Sequence, residues 1–444
     1  MSERPARRLR LRAVRSVSSR PVSPPALSTY LEMFVARCLA LIGPLVVAVI
    51  TARMLGPEDR GRYYYVLTLA TMGAQLASLG LHSSNTFMVA RQPDLLPRIL
   101  ANTAWVGVVV GVVAALGAVM LDFALGDTMH LGTAVLFVFA LCPLTLLFLY
   151  LSNLAVAVNR PRLFNGVLVF NSLALLAMTV ACGAVRPALN PFLAAVVASA
   201  LVSCLVAWVL VGRGVRVPWT FDGRLFSRGI AFALRAYVLA LAGFLMMRTS
   251  VVIIRRANAF ADLGHWSISA QIAEALLLLP ATTSLLLFPT LVRAGRGERW
   301  TEFVSMMKWV GMAMLLVCGL AGVLARPVIR LFFGDAYEQA AGITIALLPG
   351  VFFLSVASVA SQLLTAVGIP RSQLMAWGIG LALQIALSVA LVGTYGVRGL
   401  AWTQSACAGL VCMLLVLSAA KYGPRGDAFP RTDGTGSERT GSRR

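Results

Sequence analysis

The feature that most constrains this chain is a succession of long apolar segments. Runs of about 20 or more apolar residues recur along most of its 444 residues, separated by short charged, proline or glycine stretches. A helix of that length crosses a bilayer, and in lipid every backbone group needs an internal hydrogen-bond partner. The pattern therefore predicts an all-α polytopic membrane protein. Twelve spans are expected, at 29–54, 63–90, 98–121, 131–157, 163–185, 191–212, 229–254, 265–292, 303–325, 341–368, 372–394 and 398–420.

The charge of the chain is explained by where its arginines and lysines lie. The net charge is +21, which in a soluble protein would suggest nucleic acid. If the N-terminus is cytoplasmic, however, the inner loops and tails carry 25 Lys and Arg and the outer loops carry 8. Cytoplasmic loops of membrane proteins are enriched in positive residues. We therefore expect a multi-pass protein of the cytoplasmic membrane with both termini inside, contacting membrane lipids and no nucleic acid.

The chain also resembles two copies of one design. A shift of 203 residues aligns Arg53 with Arg256, Asp59 with Asp262, Gly61 with Gly264 and Tyr63 with Trp266. Parallel repeats of this kind build a site between two lobes in many transporters. We predict two six-helix lobes around a central cavity. The expected divisions are a basic cytoplasmic tail at 1–28, lobes at 29–212 and 229–420, a linker at 213–228 and a cytoplasmic tail at 421–444.

Two arginines within the apolar runs are the best candidates for a site. Arg37 lies inside the first span and Arg248 inside the seventh. A charge at membrane depth costs at least ~2.5 kcal/mol on insertion scales, so it normally faces a bundle interior or a wet cavity. Arg37 and Arg248 could form a cationic cavity that binds an anionic substrate. The structural alternative is a buried ion pair or an arginine bound to carbonyls.

Four further residues are candidates for the cavity or for an ion pair. Glu274 on the eighth span lies near the depth of Arg248, so a salt bridge between them is geometrically easy, and Gln271 shares its helix face. The pair could be a structural clip or a charge-compensated ligand site, and both readings stay open. Gln75 could line the interior or bond between helices. Arg235 lies nearer the inner end of its helix, so its side chain is expected to snorkel to the lipid headgroups.

Catalysis is not expected from this sequence. The longest connections, 213–228 and 326–340, are about fifteen residues each, and the acidic residues are few and dispersed. The seven cysteines lie in apolar runs without metal-ligand spacing. We therefore expect a transporter or flippase with no cofactor and no metal site.

Four segments in order resemble the polysaccharide biosynthesis or oligosaccharide flippase family (Wzx-like proteins). The hairpin segment reads TARMLGPEDRGRYYYVLTLATMGAQLASLGL, and the later ones read ADLGHWSISAQIAEALLLLPATTSLLLFPTLVRA, IRLFFGDAYEQAAGITIALLPGVFFLSVASVASQLLTAVGIP and TYGVRGLAWTQ. That family belongs to the superfamily that holds MATE exporters and lipid II flippases. The resemblance implies two lobes around a central cavity and the transfer of an undecaprenyl-pyrophosphate-linked oligosaccharide by alternating access.

The resemblance also implies partners and leaves alternatives. A glycan polymerase and glycosyltransferases would supply and consume the lipid-linked oligosaccharide. Relatives that couple transport to ions often carry acids in spans one, seven, eleven and twelve, whereas this chain has only Glu32 there. The alternatives are a MATE-like drug exporter, which would need a buried acid to bind cations, and a membrane scaffold for glycan assembly. A membrane-embedded glycosyltransferase would need clustered carboxylates.

Overall fold

The protein is a bundle of long helices. In its computed structural model the described residues are 27–125, 132–157, 161–256, 260–293 and 296–422, and among them there is no strand. The α-helices in chain order are α1 Leu27–Ala77, α2 Leu81–Arg91, α3 Leu96–Leu125, α4 Val135–Ala157, α5 Pro161–Val185, α6 Leu189–Val211, α7 Gly223–Arg256, α8 Phe260–Arg293, α9 Arg296–Phe333, α10 Glu338–Val367 and α11 Arg371–Tyr422. The all-α membrane fold predicted from the apolar runs is confirmed.

Helix α1 consists of two passes joined at Gly56. This residue has φ +70° and ψ 176°, a backbone conformation that glycine adopts without a Cβ penalty. Pro57 follows in the first helical position, where its missing N–H costs nothing. The chain reverses at this glycine, and the evidence is a hydrogen bond across the turn: Arg60 Nη1 donates to Thr51 Oγ1 at 2.6 Å. In a continuous helix nine residues would span about 14 Å.

Helix α11 is a second such pair, reversed at Gly396. That glycine has φ +58° and ψ −155°. The hydroxyl oxygens of Ser372 and Ser418, 46 positions apart in sequence, lie 2.6 Å from each other on the two arms.

Nine helical stretches of the described chain are long and apolar enough to cross a membrane, and two of them are the bent pairs Cys38–Ala77 and Arg371–Tyr422. Each bent pair counts as two passes, so these stretches give eleven passes. Helix α8, which is 34 residues long, is the twelfth, and the total equals the number of predicted spans.

Two predicted connections are shorter than expected. Arg224 and Arg228 were expected in the linker 213–228, but both lie in α7, which begins at Gly223. The carboxylate of Asp222 stabilises that start by accepting the backbone N–H of Leu225 at 3.0 Å, as an N-cap residue does. The side-chain amide of Asn102 on α3 holds the backbone N–H and C=O of Asp222 at 2.8 and 3.0 Å. The connection expected at 326–340 is mostly helix, because α9 continues to Phe333.

The helices of each half of the chain pack mainly with one another. In the first half α1 packs on α4 and α5, and in the second half α10 packs on α8, α9 and α11. One buried apolar cluster draws only on residues between Met246 and Ala419, and another lies between Val89 and Leu225. The main contact between the halves is α1 against α8. The lobe limits given above remain predictions.

Candidate functional site

The two halves cross where the α1 turn meets the start of α8. A Cβ added to Gly61 would lie 1.8 Å from the carbonyl oxygen of Phe260, and one added to Gly264 would lie 2.0 Å from that of Pro57. Only glycine permits backbones this close. The 203-residue shift relates Gly61 to Gly264 and also Pro57 to Phe260. The contact is therefore reciprocal, and we call these four residues the hairpin crossing.

Arg248 lies beside the hairpin crossing, on α7. Its Nη1 donates to the Tyr64 hydroxyl at 2.9 Å and lies 2.9 Å from Glu274 Oε1. The guanidinium also stands 5.7 Å from the centre of the Phe244 ring. The Arg248 side chain is 17% exposed and that of Glu274 is 39% exposed. The salt bridge foreseen between these two residues is present. We call Arg248, Tyr64 and Glu274 the Arg248 cluster.

A second ion pair is completely buried between α3 and α7. One carboxylate oxygen of Asp122 accepts Arg255 Nε at 3.0 Å and the Tyr65 hydroxyl at 2.9 Å. The side chains of Arg255 and Asp122 are 0% and 1% exposed. Because Tyr65 and Asp122 belong to the first half and Arg255 to the second, this triad joins the halves. Removing one member of the pair would leave a buried charge without its partner, which is strongly destabilising.

Arg60 is a third buried arginine between the halves. Nη1 reaches Thr51, and Nε donates to Ser267 Oγ of α8 at 3.2 Å. Nη2 is buried without a hydrogen-bond partner among the described residues. The ring centre of Tyr63 lies 5.1 Å from the guanidinium, which contributes a cation–π contact.

The eight Lys and Arg assigned above to the outer loops include Arg60 and Arg255, and for these two the assignment was wrong. Both side chains are 0% exposed. The physical reason is the tightness of the Gly56 turn, which leaves almost no loop. Arg60 therefore falls in the first turn of a helix that faces the other half, and Arg255 falls in the last turn of α7.

The other predicted site residues lie at a different level of the bundle. Arg37 and Gln75 are each 19 positions from Gly56, on opposite arms of α1, and Tyr64 is 8 positions from it. At 1.5 Å per residue this places both about 16 Å from the Tyr64 level. Arg235 lies 13 residues before Arg248 on α7, about 20 Å along the axis. The side chains of Arg37 and Arg235 lie outside the described residues. The helices thus separate these three residues from the Arg248 cluster.

Gln271 is the predicted residue that stays close to the cluster. It lies one helical turn from Glu274 on α8. Its side-chain oxygen is buried without a hydrogen-bond partner among the described residues.

Sequence reasoning missed the residues contributed by the first half. Tyr64, Tyr65 and Asp122 each bind an arginine of α7. The one local signal was the run Tyr63 to Tyr65 directly after the glycine-proline turn. Three consecutive aromatic residues point in three directions around a helix, so some of them had to face another helix.

The sequence as a whole was compared with protein families and with known structures. The family model described as "Polysaccharide biosynthesis protein" matches residues 50–342, which is most of the chain. The chain belongs to this polysaccharide biosynthesis family. The match contains the hairpin crossing, the Arg248 cluster and the Asp122 triad. A comparison with curated proteins gave no significant match.

Solved structures with the same fold are flippases and transporters of the MOP superfamily. The lipid II flippase MurJ in an inward closed conformation matches at a TM-score of 0.73 and 13% identity, over 88% of this chain and 87% of that one. A MATE-family multidrug transporter in an inward-facing conformation matches at 0.69 and 14%, over 86% and 94%. A point mutant of the Vibrio cholerae MATE transporter VcmN matches at 0.62 and 12%, over 89% and 96%. These structural matches establish the fold of this polysaccharide biosynthesis protein.

Proposed function

We propose that the protein is a flippase that moves an undecaprenyl-pyrophosphate-linked oligosaccharide from the inner to the outer leaflet of the cytoplasmic membrane by alternating access. The family match and the shared fold of MurJ and the MATE transporters support a flippase or transporter. The glycan would be a surface polysaccharide precursor, made by glycosyltransferases and consumed by a polymerase.

The observation that carries the proposal is the position and spare bonding capacity of Arg248. It lies at the junction of the halves, and both of its short polar contacts use the same nitrogen, Nη1. Its Nε is buried without a partner among the described residues. A guanidinium offers five donors in a planar fork that matches phosphate oxygens. Arg248 can therefore bind a pyrophosphate whose oxygens replace the carboxylate of the half-exposed Glu274 as its partner.

The hairpin crossing supplies the closed end of an alternating-access path. The halves touch backbone to backbone at Gly61 and Gly264, which leaves no passage at this contact. Opening the path requires the crossing to separate and the Arg248 and Asp122 contacts to break, since both join the halves. Anionic substrate that competes for Arg248 would weaken one of these contacts and favour the opening.

A cation-exporting function has weaker support from the described residues. Such a transporter needs an acid available inside the membrane. Asp122 and Glu274 are each paired with an arginine. The cluster therefore presents cationic donors more readily than free carboxylates.

The test measures on which leaflet the lipid-linked oligosaccharide lies. Cells depleted of the protein are converted to spheroplasts and inverted vesicles and probed with an impermeant glycosidase. Cytoplasmic accumulation supports the proposal, and unchanged sidedness in a strain without a second flippase refutes it. The depleted cells are then complemented with Arg248→Gln, Glu274→Gln and the double variant.

The three variants separate a ligand site from a structural clip. If Arg248 binds the pyrophosphate, Arg248→Gln and the double variant both fail, whereas Glu274→Gln keeps most activity. If the pair is a clip, the neutral double variant works. Arg330→Gln is the matched control, because the Arg330 side chain is 69% exposed and forms its ion pair with Asp335, five positions along the same half of the chain. Its activity should be unchanged.

A further inference from the structure

A deep apolar groove runs along the seam between the two halves. Its volume is about 640 Å³. Met72 of α1 and Leu121 of α3 line it from the first half, and residues of α7 and α11 line it from the second. Asp122, next to Leu121, is the residue that ties α3 to Arg255 of α7. The wall of the groove is therefore fixed by the buried triad.

The groove has the length of one membrane leaflet. On α7 its lining runs from Leu245 to Arg256, and on α11 from Leu381 to Val392. Each stretch advances eleven residues, or about 16 Å, which is roughly half of a 30 Å hydrocarbon core. Both stretches end near the chain reversals at the hairpin-crossing end of the bundle.

A positive charge stands at that end of the groove. Arg256 is exposed, and it is the last residue of α7. Along α7 the lining residues Leu245, Thr249, Val252 and Arg256 follow at intervals of four, three and four, so they form one stripe of the helix. An apolar slot one leaflet long with a cation at its mouth is complementary to a lipid chain carrying a phosphate.

The residue that corresponds to Arg256 in the repeat, Arg53, makes a different contact. Arg53 donates through Nε and Nη2 to the backbone carbonyls of Phe332 and Leu331 at the end of α9, at 2.7 and 2.5 Å. Arg53 thereby fastens α1 to α9. Its counterpart Arg256 faces the groove instead. The two related arginines therefore differ in their contacts: Arg53 binds the end of α9, whereas Arg256 lines the groove.

We infer that this groove binds the isoprenoid chain of the carrier lipid, with the lipid phosphate at Arg256. The inference rests on the proposed function. A transported head group passes between the halves while its chain stays in the bilayer, so the chain needs a slot at a seam. Arg248 lies on α7 roughly 60° round the helix from Leu245. A chain in the groove is thus within one helix width of the Arg248 cluster.

The test measures lipid binding directly and does not use transport. The full-length protein is purified in detergent, titrated with synthetic polyprenyl monophosphate, and analysed by native mass spectrometry. Arg256→Gln removes the charge and Val389→Trp fills the slot. Since a hydrogen bond to a charged group is worth about 1.5 to 3 kcal/mol, Arg256→Gln should weaken binding at least tenfold. Val389→Trp should weaken it by a similar factor.

Matched controls change the same residue types away from the groove. Arg186→Gln alters an exposed arginine just past α5, and Val323→Trp alters a valine of α9 that is 77% exposed. Neither should change binding. If the controls weaken binding as much as the groove variants, or if no variant does, the inference is overturned.

A second titration identifies the occupant. If phosphatidylglycerol binds as tightly as polyprenyl phosphate and with the same dependence on Arg256, the groove is a site for bulk lipid and the inference is wrong. If binding is selective but depletion leaves the sidedness of the glycan unchanged, the proposed function fails while the groove stands.

Discussion

Replacing Gly61 by alanine should force the two halves apart. The new Cβ would lie 1.8 Å from the Phe260 carbonyl oxygen, whereas ordinary contacts begin at 3.4 Å. The backbones must therefore separate by about 1.6 Å at this point. Overpacking of this kind costs about 1 to 3 kcal/mol, and the better helix propensity of alanine returns roughly 0.5 to 1 kcal/mol. We expect a net loss of up to about 2.5 kcal/mol for the closed conformation.

The same reasoning predicts strong non-additivity with Gly264→Ala. One separation of the halves relieves both clashes, because the two glycines lie at one reciprocal contact. The double variant should therefore cost little more than either single variant. The assay is the midpoint of thermal unfolding in detergent, followed by circular dichroism.

Gly117→Ala is the control for these variants, since nothing lies within 4 Å of a Cβ at that helical position. It should leave the midpoint unchanged or raise it slightly. A Gly61→Ala protein as stable as Gly117→Ala would refute the crossing argument. Fully additive costs would show that the two clashes are relieved separately.

Three further substitutions test the buried polar contacts of Asp122, Tyr65 and Thr51. Asp122→Asn should destabilise the fold by about 3 to 5 kcal/mol, because it removes the carboxylate charge that pairs with the buried Arg255. Tyr65→Phe should cost only about 1.5 to 3 kcal/mol, because it removes one hydrogen bond to a carboxylate. Equal unfolding midpoints for the two variants would contradict this ranking. Thr51→Val removes the hydroxyl that accepts the hydrogen bond from Arg60 Nη1, and it should destabilise the fold by about 1 to 3 kcal/mol. The same thermal assay measures this loss. An unchanged unfolding midpoint would argue against the Arg60–Thr51 hydrogen bond.

The fold was predictable because the bilayer leaves few choices. Runs of about 20 apolar residues specify crossing helices whatever their tertiary contacts, so the number of passes follows from hydropathy alone. Gly61 and Gly264 were also recognisable through the repeat. The repeat did not reveal that the two glycines lie against each other. A sequence shift shows which positions correspond, but it does not show which surfaces of the two copies are in contact.

The charges were harder to place than the helices. The pairing of Arg248 with Glu274 followed from depth on adjacent antiparallel helices, which is a local argument. The partners of Arg255 could not be found this way, because Asp122 is 133 positions away in another helix of the other half. Such long-range pairs depend on the rotation of each helix about its axis, which an apolar run does not specify.

Two arginines that the repeat relates make different contacts in the bundle. A perfect two-fold repeat would give two identical seams, and a lipid chain could then enter either one. Here Arg53 binds the end of α9, whereas the related Arg256 lines the groove between the halves. Meanwhile the glycines, which the two copies share, keep the crossing itself reciprocal. The glycines that the copies share thus form the contact between the halves, and the different contacts of Arg53 and Arg256 would give the proposed lipid site its cation at one seam.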